Sequence, residues 1–165
     1  IDRDYQAALH WLRLAAGENH GPSAYTLGKM YSYGLGVKAS NREAMRWIVR
    51  AADQGDVRAQ YNMGKAHRDG VGVAKDLVRS VQWFRRAAEQ GYANAQIALA
   101  ERYQRGEGVK PSRIEALYWA TLAAEQQLAR AQTRREQLAR AMSSKDRATV
   151  ERLLAERPRP KSPVL

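Results

Sequence analysis

Residues 55–91 read GDVRAQYNMGKAHRDGVGVAKDLVRSVQWFRRAAEQG, and the fold of the whole chain turns on this stretch. Within it Ala59, Met63, Gly64 and His67 lead to Gly70-Val71-Gly72-Val73, then to Asp76, Trp83, Ala87-Ala88 and a closing Gly91. A shift of 36 residues in either direction returns the same skeleton. The four tryptophans, Trp11, Trp47, Trp83 and Trp119, fall on that period. So do the pairs Ala15-Ala16, Ala51-Ala52, Ala87-Ala88 and Ala123-Ala124, and the loops Gly34-Leu35-Gly36-Val37 and Gly106-Glu107-Gly108-Val109. A fixed period of this length is the mark of a solenoid, in which each unit buries its apolar face against its neighbours.

Each unit reads as an antiparallel helical hairpin. First helices are predicted over about Pro22–Tyr33, Val57–Asp69 and Ala93–Arg105, each closed by a glycine that takes the left-handed conformation. Second helices are predicted to start at the capping residues Asp4, Ser40, Asp76 and Ser112, with capping-box spacing at Ser40–Glu43 and Ser112–Glu115. The first helix carries the stripe Ala59, Met63 and His67 with Gly64 beside it, and a mid-helix glycine implies close approach of a neighbouring helix. The second helix answers with Ala44, Trp47, Ile48 and Ala51, which places the tryptophans in the core.

Working outward, residues 4–17 are a second helix without its first, and 22–54, 58–90 and 94–126 are full repeats. After Trp119 the pattern decays, with Gln127 in place of the turn glycine and no glycine after Gly108. Residues 129–156 are expected to be capping helices, the last capped by Ser144, with Val150, Leu153 and Leu154 covering Leu138 and Met142. Residues 157–165 form a basic, proline-spaced tail. The expected domain is thus 1–156, all-α, with seven or eight helices and no strands.

The chain holds 28 Lys and Arg against 17 Asp and Glu, a formal net charge of +11. Such a balance favours acidic partners, protein or nucleic acid. Cysteine is absent, which removes disulfides and thiolate chemistry. His10, His20 and His67 are far apart in sequence and form no metal-ligand motif, and the glycine loops follow helices rather than strands, unlike dinucleotide turns. No enzyme, cofactor or metal site is therefore expected.

The pattern A-x3-[LM]-G-x2-[YH]-x2-G-x-G-V, followed by W-x3-A-A-x2-G, covers Asp4–Ala124 and resembles the Sel1-like repeat. This family, which has many bacterial members, is related to the tetratricopeptide repeat and is lengthened by its G-x-G-V loop. The resemblance implies a right-handed α/α superhelix with a C-terminal capping helix, used as a non-catalytic adaptor for other proteins. Envelope signalling, secretion and toxin immunity are among the settings it implies, with periplasm and cytoplasm both open. Some members are cysteine-rich and linked to penicillin binding or hydrolysis, an activity that has no residue to stand on here.

In such a solenoid the first helices line the concave side. At 100° per residue, the positions opposite the packing stripe are Arg58, Tyr61, Lys65 and Arg68 in the central repeat. Before it stand Pro22, Tyr25, Lys29 and Ser32; after it, Asn94, Ile97, Glu101 and Gln104. The expected partner-binding strip is Tyr25, Lys29, Arg58, Tyr61, Lys65 and Arg68, matched to an acidic segment of another protein. Binding of nucleic acid or another polyanion through the basic surface is the alternative. A second contact is expected at the N-terminal end, where Tyr5, Leu9 and Leu12 lack a preceding helix.

Overall fold

The computed structural model describes residues 2–157, with side chains from Asp4 onward. The tail, residues 158–165, lies outside the described residues. Nine α-helices, rather than the expected seven or eight, make up the described chain, and no strand occurs among them. They are α1 (Asp2–Gly17), α2 (Gly21–Tyr33), α3 (Asn41–Asp53), α4 (Val57–Asp69), α5 (Leu77–Glu89), α6 (Ala93–Arg105), α7 (Arg113–Ala124), α8 (Ala129–Arg140) and α9 (Ser144–Glu156). Seven belong to the repeats and two, α8 and α9, are the expected capping helices, which together make nine. None of the described helices is long and apolar enough to cross a membrane.

Helices pack chiefly on their neighbours in sequence, α2 on α3, α4 on α5 and α6 on α7, and each hairpin on the next. This gives a helical-repeat solenoid. Ser40, Asp76 and Ser112 cap α3, α5 and α7 by accepting the amides of Glu43, Arg79 and Glu115. Asp4, expected as a cap, instead lies inside α1, which already runs from Asp2. Ser143, not Ser144, caps α9, its hydroxyl accepting from the Asp146 amide. Asn19 and Gln127 take φ of 64° and 60° where Gly55 and Gly91 take 90° and 87°, so the turn survives loss of glycine.

The close approach expected at the helical glycines is real. A Cβ on Gly64 would lie 2.5 Å from the Phe84 ring, and one on Gly28 would lie 2.8 Å from Ile48. One period on, Ala100 faces the register where Ala120 replaces Phe84, and both alanines are fully buried. Small-against-large has become small-against-small, which explains why that helix needs no glycine. The gap at Gly64 also admits the Ser80 hydroxyl, which donates to the Gly64 carbonyl at 2.7 Å.

The tryptophans are not equivalent. Trp119 is 6 % exposed and Trp11 is 68 % exposed, with Trp47 and Trp83 between them. Trp83 packs against the core that holds Ala51 and Ala52, and Trp119 stands beside Ala88 and Glu89, whereas Trp11 has no such neighbour among the described residues, so the expectation of a core Trp11 is corrected. The same geometry corrects the N-terminal contact. Tyr5 and Leu9 pack forward against Gly36, and Leu9 is fully buried, while Leu12 is half-buried. The exposed apolar groups of α1 are Trp11 and Leu14.

A ladder of side-chain amides runs within each hairpin and on to the one before it. Gln90 donates to the Gln60 carbonyl oxygen at 2.8 Å, and Gln126 to that of Gln96 at 3.1 Å. Gln60 and Gln96 in turn reach back to the Ala52 and Ala88 carbonyls, each at 3.2 Å. In the α2–α3 hairpin Ala24 replaces the acceptor glutamine; Gln54 donates instead to the Ala16 carbonyl and the Asn19 side chain, each at 3.2 Å, and its Oε1 is buried without a partner. A buried amide oxygen left unmet costs roughly 1–3 kcal/mol.

Candidate partner-binding face

The strip expected from the sequence lies on α2 and α4, and all six residues are at least partly accessible. Helical spacing places Tyr25 and Lys29 one turn apart on α2, and Arg58, Tyr61, Lys65 and Arg68 along α4. The two helices are tied across this face. The Arg58 guanidinium sits 4.3 Å from the Tyr25 ring centre, and the Asn62 side-chain amide donates to the Tyr25 hydroxyl at 3.4 Å. Tyr61 continues the row, its ring 5.6 Å from Phe84 and 5.4 Å from Tyr92.

The cations divide into two kinds. Arg58 pairs with Asp56 at 2.7 Å, and Arg68 with Asp69 at 2.7 Å. The Asp56 carboxylate holds the Arg58 guanidinium above its ordinary pKa, and Asp69 does the same for Arg68. Asp69 is lowered in return by that hydrogen bond. Lys29 and Lys65 stand outside these ion pairs and are set against phenols. Lys29 donates to the Tyr33 hydroxyl at 2.9 Å, which raises the lysine and lowers the tyrosine. Lys65 lies 5.9 Å from the Tyr61 ring centre. A phenol ring attracts a cation without neutralising it, so these two ammonium groups remain available to an anion.

Beyond α4 the face closes on itself. Ile97, expected to point outward, is 6 % exposed and packs with Ala123, Ala124, Leu128 and Ala131. The reason is α8, which covers that side of α6. Its Arg134 reaches Glu101 at 3.0 Å and Gln104 at 2.7 Å, and its Arg130 bonds Asn94. The available part of the face is therefore confined to α2 and α4.

Sequence reading missed Asp56, Asn62 and Tyr92, which orient the strip. Asp56 had a legible signal: it follows Gly55 and caps α4 by accepting the Arg58 and Ala59 amides. The histidines take separate structural places. His67 meets the Ala74 carbonyl at 3.3 Å, His20 meets the Ser23 hydroxyl at 2.7 Å, and His10 lies edge-on to Trp11. No cluster of His, Asp or Glu suited to a metal ion occurs among the described residues.

The Sel1 repeat model matches residues 1–20, 21–56, 57–92 and 93–128. A Sel1 repeat protein from Oxalobacter formigenes is 34 % identical, with a TM-score of 0.76 over 78 % of this chain and 97 % of that one. The protein c5321, a protective antigen present in uropathogenic Escherichia coli strains, is 26 % identical with a TM-score of 0.57, covering 88 % of this chain. This chain spans 39 % of that protein's length. Helicobacter pylori cysteine rich protein B shares the fold at 16 % identity and a TM-score of 0.59, covering 79 % of this chain and 94 % of that one. No curated protein matches the sequence. With repeat matches running from the first residue to residue 128 and the same hairpins in its structural neighbours, this chain belongs to the Sel1 repeat family.

Proposed function

We propose that this protein is a non-catalytic adaptor that holds an acidic segment of a partner protein on the face formed by α2 and α4. Sel1 repeat proteins generally mediate protein–protein interactions, which supplies the class of function. The observation that carries the site is the recurrence, one period apart, of Tyr25 and Tyr61 and of Lys29 and Lys65 on adjoining helices. Arg58 of α4 stacks on Tyr25 of α2 and ties the two rows. Tyrosines offer rigid contact area at small entropic cost, and the two unpaired ammonium groups offer charge.

The test is a labelled Asp/Glu-rich peptide titrated against wild type and a Lys29→Glu, Lys65→Glu double variant. The variant should bind about 1–4 kcal/mol more weakly and with less salt sensitivity, at unchanged helical content. Equal affinity with the fold intact overturns the site. Equal competition by duplex DNA means that the face recognises charge alone.

A further inference from the structure

A different part of the molecule carries a second inference, and the internal repeats provide its reference. In α3, Arg50 lies 5.6 Å from the Trp47 ring centre and reaches 3.5 Å from the Gly17 carbonyl at the end of α1. One hairpin on, Arg86 lies 4.6 Å from the Trp83 ring centre. Both repeats thus set a guanidinium on the indole, and Arg50 also meets the C-terminal end of the preceding second helix. That helix end favours cations, since its last carbonyls carry partial negative charge.

In the next hairpin the period puts Trp119 and Glu89 where Trp47 and Gly17 stand, but Leu122 replaces the arginine. Both Trp119 and Glu89 line a cavity of about 730 Å³, together with Tyr118, Leu122 and Glu125. Tyr118 and Trp119 stand perpendicular with ring centres 5.2 Å apart and form its aromatic wall. The Trp119 N–H donates to Glu115 at 3.0 Å, which fixes the ring. Arg157 closes one end, held by Glu125 at 2.7 Å. Glu89 is exposed at the rim.

We infer that this cavity receives an arginine side chain from a partner protein, seated where Arg50 and Arg86 sit in their own repeats. Aromatic walls, a helix C-terminus and the Glu89 carboxylate all attract a guanidinium, and its planar face suits a ring better than an ammonium does. The site lies on the second-helix side and stands independently of the α2–α4 face, so either reading can fail alone.

The probe is N-acetyl-L-arginine amide, followed through the Trp119 indole N–H resonance, assigned with a Trp119→Phe variant. Saturable shifts are expected with this probe and none with the citrulline analogue. Leu122→Arg places the chain's own guanidinium in the cavity and should abolish the shifts. Glu89→Gln, a surface change that leaves the core untouched, should weaken binding about 3- to 10-fold. No saturable shift with wild type overturns the inference, as do shifts that persist unchanged in a folded Leu122→Arg. Removal of residues 158–165 should leave the resonance in place. If it moves, the occupant is this chain's own tail and no partner arginine is needed.

Discussion

The hairpin α4–α5 and the closing pair α8–α9 are both two helices joined by a short link, yet they pack differently. Seven residues, Gly70–Asp76, join the first pair; three, Ala141–Ser143, join the second. The longer link is reversed by Gly70 and Gly72 at φ of 72° and 73° and closed by the Asp76 amide donating to the His67 carbonyl at 2.8 Å. That geometry lays α5 against its own partner α4. The short link has no such reversal, and α9 packs back on α7 instead. Val150 there joins the same core as Leu138, Met142 and Leu117. The difference teaches that the glycine loop directs the second helix, while apolar positions only decide how tightly it is held.

The largest effect should come from the regular hairpin. Phe84 is fully buried, and Phe84→Ala should cost about 3–5 kcal/mol in denaturant unfolding. Adding Gly64→Ala rebuilds the Ala100–Ala120 arrangement of the next hairpin and should recover part of that loss, with a coupling of roughly 0.5–3 kcal/mol. Simple additivity would break the reading of these positions as an exchanged pair.

In the closing pair the corresponding change should be smaller. Val150 is 2 % exposed but meets the core from one side, so Val150→Ala should cost about 1–3 kcal/mol. A loss as large as that of Phe84→Ala would mean that α9 is as integral as a repeat helix. Smaller again are the caps. Asp76→Ala and Ser143→Ala should each cost roughly 1 kcal/mol, or a few degrees in Tm. A markedly larger cost at Asp76 would show that the cap also sets the loop.

The smallest effect is local and pH-dependent. Lys29 lowers Tyr33 from its ordinary 10.0. Between the lowered value and 10.0 the unfolded chain binds more protons at Tyr33, so this group adds stability as pH rises through that window. Lys29, raised above 10.5, acts in the opposite sense, and its contribution is lost as pH climbs through its folded value. Ring-carbon shifts of Tyr33 against pH should show the lowered midpoint, returning to the ordinary range in Lys29→Met.

What was legible in the sequence was whatever the period carries. Caps at Ser40, Asp76 and Ser112, the left-handed glycines and the stripe of Ala59, Met63 and His67 each depend on a few neighbouring residues, and all appear where the spacing puts them. What was not legible depends on which helix lies next door. Trp11 shares a register with Trp119 but not its neighbour, and Ile97 is buried only because α8 arrives over it. On the candidate face the residue types were visible, but their charge state was not. That Arg58 is matched by Asp56 while Lys65 faces a phenol follows from side-chain directions that a helical wheel does not contain. The ladder of Gln54, Gln90 and Gln126 against Gln60 and Gln96 was available in the 36-residue spacing and went unread.

That ladder gives the solenoid an uneven spring constant. Twisting one hairpin over the next must stretch Gln60 from the Ala52 carbonyl, or Gln96 from the Ala88 carbonyl, in buried surroundings where water cannot readily replace the lost bond. At the first junction Ala24 holds that glutamine's place, and Gln54 makes the link instead, donating to the Ala16 carbonyl and the Asn19 side chain nearer the solvent. Water can stand in for those bonds more easily, so the junction of α1 with the α2–α3 hairpin is the more compliant one. There the coil can open or wind slightly around whatever it grips, while its middle keeps a fixed pitch.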